Sequence, residues 1–555
     1  MAGKGDRGQG TGHGRTRAQG ARLGAQGARL GAQGARDEGT RLRAQGARDE
    51  GTRLRAQGAR TGRREDGGLE PGEIAAGLLE RARALPGVDE AETYVSKNTM
   101  TIARLETLRH GQRVIGPGAQ QIATFVNMEA CVRVVSAGAV GTAATIHLDD
   151  RALRNVVNDA LAVAKVMSAD PNFRSLPKPL ARRAVKIPPD KRILEGFAFE
   201  VLLDQADQAA CCFPKGVDLA GSIIAVGQLF SVQNSRGIDV ERGEDTFAVA
   251  QLTAERVEGG EVLSSGMGWS ASRDLAGLDA PTAARKALEL AVLEPGLKTV
   301  PEGDYDVILG PYSVADILDN MLVPQMGMGQ IYSGTSWLPA ERRQAGGGPV
   351  LRRPRLGETI ACDSFTLREE PHLPDAMGSK TYDDEGVPTG PRTLVEKGVW
   401  KGVFSNSYYA HLYGLEPPGN GFRFGPRPGR MASAAVSNSP TNLVLERGDL
   451  AFDELVEMCK GDALYIPRTW YTYPTRYGAS GFSSSNRSTA FLISKGELIP
   501  VAPNAFKLRG DAARVLREVR GVGRELSTAT TWSASFCSIV PHLLTGGIRV
   551  EKPAE

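Results

Sequence analysis

Between Glu90 and Gly138, apolar and polar residues alternate over four segments, AETYVSK, MTIARLE, ATFVNM and ACVRVVSAG, set off by Gly-rich turns. A period of two places alternate side chains on opposite faces of a strand, so this stretch predicts an antiparallel sheet. The flanking segments have a different period. From Glu73 to Leu85 the residues Ile74, Leu78, Leu79, Ala82 and Leu85 recur at helical spacing, and Pro86-Gly87 stops the run. Asp149 to Met167 repeats the pattern with Leu153, Val156, Val157, Ala160, Leu161 and Ala164. A Pro-rich stretch, LPKPLARRAVKIPPDKR, reads as a surface connection, and TAARKALELAVLEPG as a further helix ended by Pro295-Gly296. From Tyr305 onward the chain is strand-rich with long Gly/Pro loops. The expected class is therefore α+β, with helices on a sheet over residues 67–298 and a strand-rich region over 299–555.

Residues 1–66 cannot share that fold. ARLGAQG stands at 21–27 and again at 28–34, and ARDEGTRLRAQG at 35–46 and 47–58. Stacked repeats must bury an apolar face, which these units lack, and each Gly costs a helix about 1 kcal/mol relative to Ala. The segment is expected to be disordered. Residues 1–64 carry 15 Lys and Arg against 5 Asp and Glu, about +10, so the net +3 of the chain leaves about −7 for the remainder. An Arg-rich arm contacting nucleic acid is one reading, and an extension or a start codon placed upstream is another. The acidic body gives no reason to expect nucleic acid there.

No run approaches ~18 apolar residues, so no spanning helix is expected, and the N-terminus has no apolar leader core. The cysteines Cys131, Cys211, Cys212, Cys362, Cys459 and Cys537 include no Cys-x-x-Cys, which reads as reduced thiols in a cytoplasmic protein. There is no phosphate-binding G-x-x-x-x-G-K-[ST] and no G-x-S-x-G elbow. GNGFRFG at 419–425 lacks the strand–turn–helix setting of a dinucleotide site. No two of His13, His110, His147, His372, His411 and His542 lie within one helical turn. A zinc helix needs two ligands on one face, and this chain has none.

One place nonetheless has the layout of such a helix. DYDVILGP (304–311) reads as a strand ending in Gly310-Pro311, with Ser313 as a possible N-cap. Val314, Ile317, Leu318, Met321 and Leu322 follow on one face, and Pro324 is expected to end the helix by displacing Val323.

With that strand, turn and helix, the chain from about Glu90 to Val550 resembles the TldD/PmbA family of metallopeptidases. The resemblance is carried by 131–165, 304–318, GSKTYDDEGVPTGPRTLVEKGVW (378–400), 419–449 and 481–501, in the family's order. It implies a barrel-like C-terminal domain and a homodimer or heterodimer enclosing a cavity for extended, unfolded peptides. It also implies, in zinc-bearing subunits, a site made of two His and a Glu on one helix with a later Cys. Zinc there lowers the pKa of bound water and polarises the scissile carbonyl. Counting from Gly310, Asp319 and Pro324 stand at the His positions and Asn320 at the Glu position. The chain thus resembles the PmbA (TldE) branch: no catalytic residue, no metal and no cofactor in this chain, with zinc in a TldD-like partner.

Asp383, Asp384 and Glu385 could hold a hard cation, but the commoner meaning of such a run before Gly is a solvated turn. Cys537 reads as a buried core residue and His411 as a packed one. A rebuilt site from Asp319, His411 and Cys537 has nothing local in its favour. Asn406, Tyr408, Arg423, Arg427, Arg430, Phe482 and Ser483 are the candidates for lining a peptide channel. The competing readings are a self-sufficient peptidase with another metal site and a binding protein using the Arg-rich arm.

Overall fold

The computed structural model describes residues 70–553 apart from 111–112, 295, 345–349, 426–427 and 532–535. The extension expected to be disordered over 1–66 lies outside the described residues.

The four alternating segments prove to be two strands. β1 (Glu90–His110) and β2 (Arg113–Ser136) are 21 and 24 residues long, against a usual five or six. Asn98 and Thr99, between the first two segments, pair with Asn127 and Val126 and keep the ladder continuous. The expected Gly-rich turns fall between β1 and β2 and after Ser136, while Gly116 and Gly118 lie within β2, opposite Leu108 and Glu106, where the register shifts after Arg104 and Leu108. With β3 (Ala139–Thr145), β4 (Val217–Asn234), β5 (Asp239–Glu258) and β6 (Glu261–Ser272), they form an antiparallel sheet of order β3-β2-β1-β4-β5-β6.

Strand parity decides what each face does. Ala91, Val95, Ala103 and Leu105 of β1 pack with the helices α1 (Pro71–Ala84), α2 (Asp150–Val166), α3 (Lys191–Leu194), α4 (Phe199–Cys211) and α5 (Ala280–Ala291). Asp149 caps α2 by accepting from the Ala152 N–H, as its position before the apolar run predicts. Ala280, Ala283, Ala284, Ala287 and Ala291 line the buried face of α5. The facing strand needs Gly: a Cβ at Gly268 would lie 1.8 Å from the Ala283 carbonyl oxygen. The even residues Glu92, Tyr94, Asn98, Met100 and Ile102 point the other way, into contacts with the second half of the chain.

That second half holds two larger sheets. In one, β7 (Gly303–Leu309) is flanked by 543–551, antiparallel, and 463–466, parallel; the order runs from 469–474 at one edge to 497–501 at the other. It curls into a half-barrel, the open form of the barrel-like region expected. In the other, 442–445 and 537–540 pair in parallel. Between them runs α6 (Pro311–Ile317), whose Val314, Ala315 and Ile317 join residues of both sheets in one core.

Candidate functional site

The helix begins where the sequence places it but is capped differently. Gly310 is the N-cap and Pro311 the first helical residue, while the Ser313 hydroxyl donates to the Ile466 carbonyl at 2.9 Å. Nor does Pro324 end the helical run. The chain widens into a π turn over Leu318–Leu322 and tightens into a 3₁₀ turn over Val323–Met326, leaving at Gly327. Val323 keeps helical angles, φ −57 and ψ −48. The changes of pitch let Pro324 stay in the run without its N–H, and the Trp337 indole N–H donates to the Met321 carbonyl at 3.0 Å.

Asp319 and Asn320 lie in the π turn. Asp319 accepts from the Thr531 hydroxyl at 2.9 Å and the Ser538 hydroxyl at 3.0 Å. Burial pushes its carboxyl up to about 7, against those hydroxyl bonds. Cys537, next to Ser538, is fully buried, donates to Asn442 Oδ1 at 3.1 Å, and burial pushes its thiol up to about 12. The structure therefore joins Asp319 to the 537–538 segment. His411 takes no part: its Nδ1 bonds the Ser175 carbonyl oxygen at 3.0 Å.

One turn earlier, Asp316 is a buried acid that sequence reasoning missed. Asn320 Nδ2 donates to its Oδ1 at 2.9 Å, Thr469 Oγ1 to its Oδ2 at 2.6 Å, and Thr472 Oγ1 also to Oδ2. Burial raises its carboxyl, against these hydrogen bonds and the charge of Arg468, which makes no salt bridge with it among the described residues. Asp316 and Asn320 open onto a cavity of about 170 Å³, walled by Trp470, Tyr471, Thr472 and Tyr473 of the edge strand Thr469–Pro474. A bulge between Trp470 and Tyr473, with Tyr471 at φ 55, sets these rings there. The signal in the sequence is WYTY at 470–473 together with two acids, Asp316 and Asp319, in an otherwise apolar helix.

The acidic run is not the solvated turn expected. Asp383, Asp384 and Glu385 are each at most 1% exposed. They are buried because the loop carrying them packs on the even face of β1, where fixed donors replace water. Asp383 Oδ1 accepts from the Glu385 and Val387 N–H groups, the local turn geometry of an Asx bond. Asp384 accepts from the Tyr94 hydroxyl, the Arg423 N–H and Arg430. Glu385 accepts from Arg133 and from the Ser407 N–H and hydroxyl. Arg430 also reaches Asp245, and Arg423 and Arg133 share Glu92.

The channel-lining candidates therefore divide. Arg423, Arg430 and Phe482 are at most 2% exposed, and the two arginines are engaged in that charge layer. Asn406 caps the helix Ser407–Leu412 by accepting from the Tyr409 N–H. Tyr408 donates to Asp170 at 2.8 Å, and Ser483 is partly exposed on an inner strand. Arg427 lies outside the described residues. Among the described residues no three His, Cys, Asp or Glu converge to hold a metal. The donors at 319, 320 and 324 are Asp, Asn and Pro, which do not fit the zinc helix the resemblance implies. Among them, too, no helix is long and apolar enough to cross a membrane.

A strand–turn–helix whose helix lies between a half-barrel and a second sheet is the class of scaffold that this geometry defines. Residues 302–552 match the family described as "PmbA/TldA metallopeptidase C-terminal domain". The chain is 31% identical over 186 residues to a metalloprotease of Methanothermobacter thermautotrophicus, covering 32% of this chain and 37% of that one. It is 27% identical over 173 residues to a metalloprotease TldD homolog of Haemophilus influenzae, covering 30% and 32%. The chain thus spans about a third of the length of these two relatives. In fold it is similar to TldE from Thermococcus kodakarensis, with a TM-score of 0.72, 21% identity, and 86% and 99% of the two chains covered. Over residues 302–552 the chain thus belongs to the TldD/PmbA family.

Proposed function

We propose that this chain is a non-catalytic, peptide-holding subunit of a TldD/PmbA-type metalloprotease, acting beside a TldD-like subunit that carries the zinc. The observation that supports it is the π turn, where the helix keeps its place while Asp319, Asn320 and Pro324 replace the ligands and base. Asn320 cannot take a proton from water at neutral pH. Asp319 is turned toward Thr531 and Ser538, and Cys537 toward Asn442. Asn406, Tyr408 and Ser483 are the side chains from which we would build a peptide path. A cytoplasmic location and a heterodimer, or a homodimer, belong to the same reading.

The test is to purify the full chain, measure its zinc by elemental analysis, and follow cleavage of an unfolded peptide with and without a zinc-bearing TldD relative. The expected result is no stoichiometric zinc and no cleavage alone, with chelator-sensitive cleavage once the relative is added. Stoichiometric zinc and chelator-sensitive cleavage by this chain alone would replace the reading with that of a self-sufficient peptidase.

A further inference from the structure

We infer that the cavity between Asp316, Asn320 and the Trp470–Tyr473 wall is a subsite for a lysine side chain of an extended peptide. This deepens the proposed function and rests on it. The first observation is the state of Asp316. It is 4% exposed and held only by neutral donors, an amide and two hydroxyls. A desolvated carboxylate that makes no salt bridge among the described residues gains from a cation that arrives with its own apolar stem. The charge of Arg468 acts on Asp316 and lowers its carboxyl, but without a salt bridge between them among the described residues. Arg468 is stacked on Tyr312 and on Trp470, 5.6 and 4.9 Å from the ring centroids, and is not among the residues lining the cavity.

The second observation is the wall. Trp470 and Tyr471 lie 5.4 Å apart by ring centroid, and Tyr471 and Tyr473 6.0 Å. Tyr471 is 64% exposed and Tyr473 50% exposed. Aromatic surface beside a carboxylate suits an alkyl chain ending in a cation, through apolar contact along the stem and attraction to the rings. The edge strand carrying these rings has no strand on its outer side among the described residues, so an extended peptide can approach it.

The third observation selects lysine over arginine. A carboxylate has about four acceptor sites. Asn320 takes one on Oδ1 and the two threonines both on Oδ2. That leaves a single site on Oδ1. One acceptor matches the point charge of an ammonium; a guanidinium fork wants two parallel acceptors.

The experiment measures binding of fluorescent, unstructured peptides to the full chain. Four peptides differ at one central position: lysine, arginine, norleucine or alanine. Lysine is expected to bind about tenfold tighter than norleucine, with arginine between them. Asp316→Asn should erase the difference between lysine and norleucine. Tyr471→Gly should weaken it while leaving the fold intact, because glycine adopts φ 55 without strain. Equal binding of lysine and norleucine peptides by the native chain overturns the subsite but leaves the peptide-holding reading standing. A lysine preference that survives both substitutions overturns the assignment to this cavity. Absence of any peptide binding, alone or with a zinc-bearing relative present, overturns the subsite and the reading together.

Discussion

Two groups of buried carboxylates in this molecule have opposite surroundings. In the layer between the even face of β1 and the loops around 384 and 430, acids face guanidinium groups: Asp384 and Asp245 face Arg430, and Glu92 faces Arg133 and Arg423. In the helix at 311–326, the side-chain hydrogen bonds to Asp316 and Asp319 come from hydroxyls and an amide, and Arg468 acts on Asp316 only through its charge. Burial raises Asp245, but Arg430, Lys380 and Arg273 more than offset it and leave its carboxyl below the usual range. The same burial takes Asp319 to about 7. The difference is one of partners: the first group is paired with cations in salt bridges, and the second is held by neutral donors.

The strongest way to break that distinction is to remove a cation from the complete layer. Arg430 is wholly buried, bonds both Asp384 and Asp245, and lies 4.0 Å over the Phe230 ring. Arg430→Met keeps bulk and apolar contact but leaves two acids without their partner. A loss of about 3–5 kcal/mol is expected, read as a lowered urea midpoint and reduced soluble yield. A loss below about 1 kcal/mol would mean that the layer is not what holds these loops to the sheet.

The next effect is a pH dependence of stability. Asp319 has a folded value of about 7 against an ordinary 3.8. Between those values the unfolded chain has released a proton that the folded chain still holds. Its contribution is therefore present in full below about pH 4 and lost as pH rises towards 7, with a slope of at most about 1.4 kcal/mol per unit. Asp319→Asn should flatten that slope and raise stability at pH 8 by about 1–2 kcal/mol, discounted for the partial exposure of the residue. Thermal melts of both proteins across this range test it; parallel curves would show that Asp319 ionises as freely folded as unfolded.

Legibility of the sequence followed the same division. Periodicity located α1, α2 and the sheet because one face of each element is apolar at every repeat. It could not show that β1 runs unbroken through Asn98 and Thr99, because polar residues bonded across a sheet look like a turn in one dimension. Asn98 owes its place to the Arg430 carbonyl oxygen, 332 residues away. The acidic run was misread for the same reason, since Asp384 is buried by partners distant in sequence. At the helix, the residues at 319, 320 and 324 could be read directly. The pitch changes around Pro324 and the role of Asp316 depend on Trp337, Thr469 and Thr472, which only folding brings near.

The smallest expected effect is also the sharpest comparison, because it makes one isosteric change in both settings. In Asp316→Asn the amide oxygen can accept from Asn320 while the new NH₂ donates to Thr469 and Thr472, whose hydroxyls rotate to become acceptors. Nothing is left unpaired, and a raised carboxyl is removed. Stability at neutral pH should move by less than about 1 kcal/mol in either direction. In Asp384→Asn the amide meets Tyr94, the Arg423 N–H and Arg430, all of which donate, so one donor faces another and the guanidinium loses a countercharge. That change should cost about 2–4 kcal/mol. Urea unfolding of the two variants side by side measures the gap. If Asp316→Asn proved as costly as Asp384→Asn, Asp316 would be a structural acid like those of the charge layer, and the cavity beside it would lose its claim to a cation.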